Sequence, residues 1–183
     1  MPEQYALFTK AINPASAKEL IDFMVAQAAA KIDRLTLAIS SAGGQVPSGI
    51  AVYNLMLAMP YEVVTHNVGN VDSITNVIFL GGRTRYTNAA GMFVFHGVGF
   101  DITQNVRLEE KYLSERLDSV LSDHKRMSAI INSRTGNKLS LEQGLELFKE
   151  QRARDATWAH ANGLVSSIRE FAVPAGVNVQ LFT

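Results

Sequence analysis

Three stretches of the chain bring together residue types that can do chemistry: Ser41-Ala42-Gly43-Gly44, the segment Gly69 to Gly82 with Ser73 at its centre, and Phe93-Val94-Phe95-His96. A β-branched run, Val63 to Val68, leads into Gly69, a small polar turn and the apolar segment Val77-Ile78-Phe79-Leu80. That pattern predicts a strand, a sharp turn and a helix. A serine on such a turn is lifted clear of the sheet with helix N–H groups beside it, the geometry that a nucleophile with an oxyanion hole requires. The same residues also suit an ordinary strand-to-helix turn whose serine caps the helix. His96 ends a predicted strand, Met92 to Phe95, and an imidazole is the usual general base for a hydroxyl. Open α/β sheets bind ligands at the C-terminal ends of their strands, so Gly43-Gly44, Ser73 and His96 are expected at one rim.

The bulk composition removes other chemistries. The chain of 183 residues fits one domain, is 47% hydrophobic and carries a formal charge of zero, so no field draws nucleic acid or an anionic membrane to it. Cysteine is absent, which excludes thiolate catalysis, cysteine-bound zinc and disulfides. The four histidines form no His-x-x-x-His pair, so neither a metal nor a cofactor is expected. The N-terminus lacks the pattern of a signal peptide and no apolar run approaches the roughly 18 residues that span a bilayer. A soluble, cytoplasmic protein is the expectation.

The positioning elements follow from periodicity. Strands are predicted at Tyr5 to Thr9 and Leu35 to Ser40, with helices over 17–31, after the turn Asn13 to Ser16, and over 48–59. The two β-loop-α units make this an α/β chain. A single long helical segment, about Asn105 to Asn132, carries a thin apolar stripe among many charges and reaches on the order of 40 Å. Helices at Ser140 to Lys149 and from Asp155 to Gly163 follow, then short strands at Leu164 to Ile168 and Val177 to Phe182. The run Arg152 to Asp155 reads as a solvated segment before a capped helix, and Trp158 as core or interface. His66, in a strand, reads as a packed histidine. His124 reads as one residue among the charges of the long helix, and His160 lies near a helix end, where a cation suits the dipole.

In this order the residues resemble the proteolytic subunit of the Clp protease, ClpP, within the ClpP/crotonase superfamily. The glycine loop appears as Ser41 to Gly44, the nucleophile turn as Gly69 to Ile74, and the strand ending in histidine as Phe93 to His96; the thread continues through Arg134-Thr135-Gly136 to Gly163-Leu164-Val165. The resemblance implies stacked β-β-α units with a protruding handle helix, and a serine peptidase that hydrolyses peptide bonds. Ser73 would be its nucleophile, His96 its base, and the N–H groups of Gly44 and Ile74 its oxyanion hole. It also implies a homo-oligomeric ring, with two stacked rings joined through the handle helices, acting on peptide or unfolded-protein substrates. This chain starts almost at the first strand, where the family carries a further segment that helps engage an ATPase, so docking to a Clp-type ATPase is not carried over.

Departures from the family pattern centre on the acid. Its Arg-Asp pair has a counterpart in Arg154-Asp155, but counting back from Gly163 puts the acid position on Gln151, and counting forward from Gly136 puts it on Lys149. Glu150 lies between, so Asp155 and Glu150 are the candidate third members, with Asp155 read first as a helix cap. A Ser-His dyad is the alternative. Ile74 replaces the oxyanion methionine and Ala42 the loop proline. Asp72, directly before Ser73, is a carboxylate that opposes an anionic transition state if it faces the site. Two other functions stay open: a catalytically inactive ring subunit or scaffold, and a crotonase-type enzyme acting on acyl-thioesters.

Overall fold

Short β-branched runs become parallel strands, and the helical stripes between them carry the chain back to the start of the next strand. The computed structural model describes residues 2–99 and 107–183. β1 (Glu3–Phe8), β2 (Arg34–Ser41) and β3 (Glu62–Asp72) are joined by α1 (Pro14–Ala29) and α2 (Val46–Ala58). α3 (Thr75–Leu80), β4 (Thr84–Thr87) and β5 (Met92–Val94) follow. α4 (Glu110–Arg134), α5 (Leu141–Glu150), β6 (Ala153–Arg154), α6 (Ala156–Ala161), β7 (Ser167–Ile168) and β8 (Val179–Phe182) complete the order. Asn13 caps α1 by accepting the N–H groups of Ala15 and Ser16, a contact of about 1 kcal/mol.

The eight-stranded sheet runs β6-β5-β3-β2-β1-β8, with β4 attached to β3 and β7. All pairings are parallel except β5 with β6. Its long middle strand, β3, serves two neighbours: Val64 to Asn67 pair with β4, and Asn70 to Asp72 pair with β5. Between these halves the ladder with β2 shifts, because Ile39 faces Asn67 but Ser41 faces Val71. Ser40 Oγ accepts the Asn70 N–H at 3.2 Å and Asn67 Oδ1 accepts the Gly69 N–H at 3.0 Å, which ties the bulge down. A Cβ at Gly69 would lie 2.6 Å from Ser40 Oγ, so the glycine here answers to a close approach.

Several boundaries differ from those predicted. β3 runs through Gly69 to Asp72 because the glycine occupies the bulge and not the strand end. The long helix starts at Glu110; residues 107–109 are not helical, and residues 105 and 106 lie outside the described residues. Leu164 and Val165 do not join β7, since both N–H groups donate to the Ala159 carbonyl at the end of α6. Arg154, read as part of a solvated run, pairs with Phe93 in a two-residue strand too short to show periodicity.

Two arginines join the end of α3 to the base of α4. Arg134 donates to the carbonyls of Leu80 and Gly82 at 2.7 and 2.8 Å. Arg85 donates to those of Gly82, Arg134, Gly163 and Leu164 at 2.6–3.1 Å. Burial, then the neighbouring Arg134 charge, pushes the Arg85 guanidinium down to about 10, still cationic at neutral pH. α3 itself is buried along its whole length, and Phe79 meets Phe93 edge-on at 5.2 Å. This packing fixes the helix that follows Ser73.

His66 is 2% exposed and its Nε2–H is shared between Asn88 Oδ1 at 2.8 Å and the Arg169 carbonyl at 3.0 Å. Burial lowers its proton affinity below the ordinary imidazole value despite those two acceptors. The unfolded chain therefore binds the proton more readily, and this contribution to stability is lost as pH falls below about 6.5. Thermal unfolding is expected to show a midpoint that drops between pH 7.5 and 5.5, with a shallower drop in His66→Gln; parallel profiles in the two proteins would contradict this.

Candidate functional site

β3 ends at Asp72 and α3 begins at Thr75, which leaves two residues to reverse the chain. Ser73 makes that turn with φ 55, a left-handed conformation that costs a non-glycine residue on the order of 1 kcal/mol or more. Its N–H donates to the Val94 carbonyl at 2.8 Å, which holds the turn against the end of β5. The Asn76 amide reinforces this by donating to the Ser73 carbonyl at 3.1 Å and to Val94 O at 3.0 Å. Asn76 escaped the sequence reading, although a buried asparagine inside an apolar helical run is the pattern that could have revealed it.

The glycine loop lies directly against this turn. Ile12 brackets Gly44, its N–H donating to Gly43 O at 2.8 Å and its carbonyl accepting the Gln45 N–H at 2.7 Å. Gly43 and Gly44 adopt φ +92 and +148, where L side chains are strained. A Cβ at Gly43 would come within 2.7 Å of Ser73 Cβ, and one at Gly44 within 2.0 Å of Ile12 O. Ser41 braces the loop with hydrogen bonds. Its Oγ donates to Lys10 O at 2.7 Å and accepts from Gly43 N at 3.2 Å and Thr75 Oγ1 at 3.2 Å.

Neither the Gly44 nor the Ile74 N–H donates to an acceptor among the described residues. The Ile74 side chain is fully buried against α2, where a Cβ on Gly49 would lie 2.3 Å from Ile74 Cγ1. Ser73, Gly44 and His96 all line one cavity of about 570 Å³, whose far wall is α4 with Arg116, Ser119 and Asp123. Ser73 is 8% exposed.

His96 is exposed, and its Nδ1 lies 3.2 Å from the Gly97 carbonyl. A carbonyl only accepts, so Nδ1 carries the proton and Nε2 is left with its lone pair, the tautomer of a general base. No hydrogen bond joins Ser73 Oγ to the imidazole among the described residues; contacts between a nucleophile and its base often tighten only in the Michaelis complex. The segment after His96 is held by α4, because the Val98 N–H donates to His124 Nε2 at 2.8 Å. His124 also stacks on Phe148 at 5.4 Å, and burial lowers its proton affinity. It is thus half-buried between α5 and the segment after His96, not simply one charge among those of its helix.

The candidate acids lie elsewhere. Asp155 Oδ1 caps α6 by accepting the Trp158 N–H at 2.7 Å. Glu150 is ion-paired with Arg154. Gln151, in a left-handed conformation at the end of α5, brings its amide close to Gly97. Asp72 lies next to Ser73, half-buried, with its Oδ1 enclosed and without a partner. Burial raises its pKa above the usual carboxylate value, against the opposing influence of His96 and Asn70.

Among the described residues no helix is long and apolar enough to cross a membrane. The Clp protease family model matches residues 2–171. The fold is similar to that of a ClpP1 mutant from Listeria monocytogenes, with a TM-score of 0.78, 19% identity and 92% of each chain covered. At that identity the structural likeness speaks to the mixed α/β fold, while the family match over nearly the whole chain identifies its lineage: the protein belongs to the Clp protease family, a family of peptidases.

Proposed function

We propose that the protein is a cytoplasmic serine endopeptidase that cleaves peptide or unfolded-protein substrates through an acyl-enzyme on Ser73, inside a chamber formed by a homo-oligomeric ring. The observation that carries this reading is the left-handed Ser73 turn facing the same cavity as Gly44 and His96. His96 Nε2 takes the Ser73 hydroxyl proton as Oγ attacks the substrate carbonyl. The resulting oxyanion accepts the N–H groups of Gly44 and Ile74, which the fold leaves unpaired. His96 then gives the proton to the leaving amine, and water attacks the ester by the same base in the reverse sense.

Assembly follows from the long helix. α4 spans roughly 37 Å at 1.5 Å per residue and exposes Leu113, Leu117 and Leu121 by 45%, 56% and 45%. A stripe at that spacing suits the handle contact between two stacked rings. An inactive scaffold is the second reading, supported by the pairing of Glu150 and Asp155 away from His96.

A fluorophosphonate probe is expected to label Ser73, with no label in Ser73→Ala and a rate lower by about 10²-fold or more in His96→Ala. A correctly assembled protein that takes no label favours the scaffold. Gly44→Ala is expected to abolish hydrolysis of small peptide esters, because the new Cβ meets Ile12 O and displaces the donor; undiminished turnover would remove Gly44 from the oxyanion hole. Leu117→Glu is expected to halve the native mass by separating two rings, and an unchanged mass would contradict stacking through α4.

A further inference from the structure

Asp72, directly before Ser73, is a carboxylate that the proposed mechanism leaves unused. The register of β3 with β5 sets Asp72 opposite Val94. Phe93 on β5 and Phe95 just beyond it are enclosed, while Val94 is half-buried and His96, two residues past the end of β5, is exposed; on β3 Val71 is enclosed and Asp72 half-buried. Asp72 and Val94 therefore share one face of the sheet, and His96 follows two residues beyond Val94 where the chain leaves it. The imidazole is close enough for its charge to act on the Asp72 carboxyl.

Other groups near His96 are engaged. Asp123, across the cavity on α4, is ion-paired with Arg126. Arg116 adds a positive charge to the same wall. His124 accepts the Val98 N–H and is held neutral by burial. Glu150 and Asp155 are committed to Arg154 and to the cap of α6. Only Asp72, of the carboxylates named here, keeps an enclosed oxygen without a partner.

We infer that Asp72 is the positioning carboxylate of His96, supplying from the strand side the negative charge that stabilises the imidazolium formed when Ser73 is deprotonated. This rests on the serine-peptidase reading for its catalytic consequence, but the charge pair itself does not. The Gly97 carbonyl fixes the tautomer, and Asp72 favours the protonated imidazole. No group is transferred to Asp72, which acts through its charge alone. Its placement beside the nucleophile, read from sequence as an obstacle to an oxyanion, becomes a support for the base.

The test uses two readouts on the full-length protein. Carbethoxylation of His96 by diethylpyrocarbonate, followed by mass spectrometry against pH in the Ser73→Ala background, reports the imidazole without any turnover. Asp72→Asn is expected to move the midpoint of that profile to lower pH by about half a unit or more, since loss of a nearby negative charge disfavours the cation. Asp123→Asn, whose carboxylate is already paired, is expected to move it less. Fluorophosphonate labelling of Ser73 in Asp72→Asn is expected to slow by about tenfold at its plateau and to reach half-maximum at lower pH. Superimposable carbethoxylation profiles, an equal or larger shift from Asp123→Asn, or faster labelling in Asp72→Asn would each overturn the assignment. A wild-type protein that takes no label while its His96 profile still moves with Asp72 fails the peptidase reading and leaves the pair standing.

Discussion

The hydrogen bond from the Ser73 N–H to the Val94 carbonyl is the contact on which the site depends. It is made one residue past the end of β3, where the chain has already left the strand and entered a left-handed turn. Without it nothing in the local sequence would hold a serine in a conformation that glycine adopts more readily. Because the acceptor belongs to β5, the same bond also fixes how far Ser73 stands from His96, two residues further along. Ser73 and His96 are registered by the sheet, not by contact with each other.

Around that bond the structure is over-determined. Asn76 doubles it from the side of α3, and the glycine loop fills the space above it so closely that a methyl group at position 43 would collide with Ser73. Ser41 ties the loop to α3 and to the segment before α1, while Arg85 and Arg134 lock the far end of α3 to the base of α4. A strained residue persists when its surroundings leave it no alternative, and these contacts come from five different segments. The proposed N–H donors at Gly44 and Ile74 would be preorganised by that rigidity, since the backbone that carries them cannot relax to bond elsewhere.

Much of this was legible in the sequence because it follows from short patterns. Strand-turn-helix at Ser73, the paired glycines and a histidine ending an apolar strand are local signals, and the parallel sheet then brings them to one rim. What sequence could not show was set by partners distant along the chain. The bulge at Gly69 exists because Ser40 lies beside it, and Arg154 forms a strand because Phe93 is there to receive it. His124 looked like one charge among many until the fold placed its ring against Phe148 and Val98. Asp72 is the sharpest instance: the residue type was plain, but its consequence turns on whether its oxygen faces the oxyanion or the imidazole, which only the strand register decides.

The bulge in β3 has a consequence in parity. Two steps along β2, from Ile39 to Ser41, match four along β3, from Asn67 to Val71, so the excess is even. Side chains alternate with period two, and an even excess returns Val71 and Asp72 to the faces they would occupy in an unbroken ladder. A single-residue insertion or deletion between Asn67 and Val71 would turn Val71 out of the core and send Asp72 and the approach to Ser73 to the opposite side. Length variation in this segment is therefore tolerable only in pairs, a rule of counting imposed on the sequence by the pleat of the sheet.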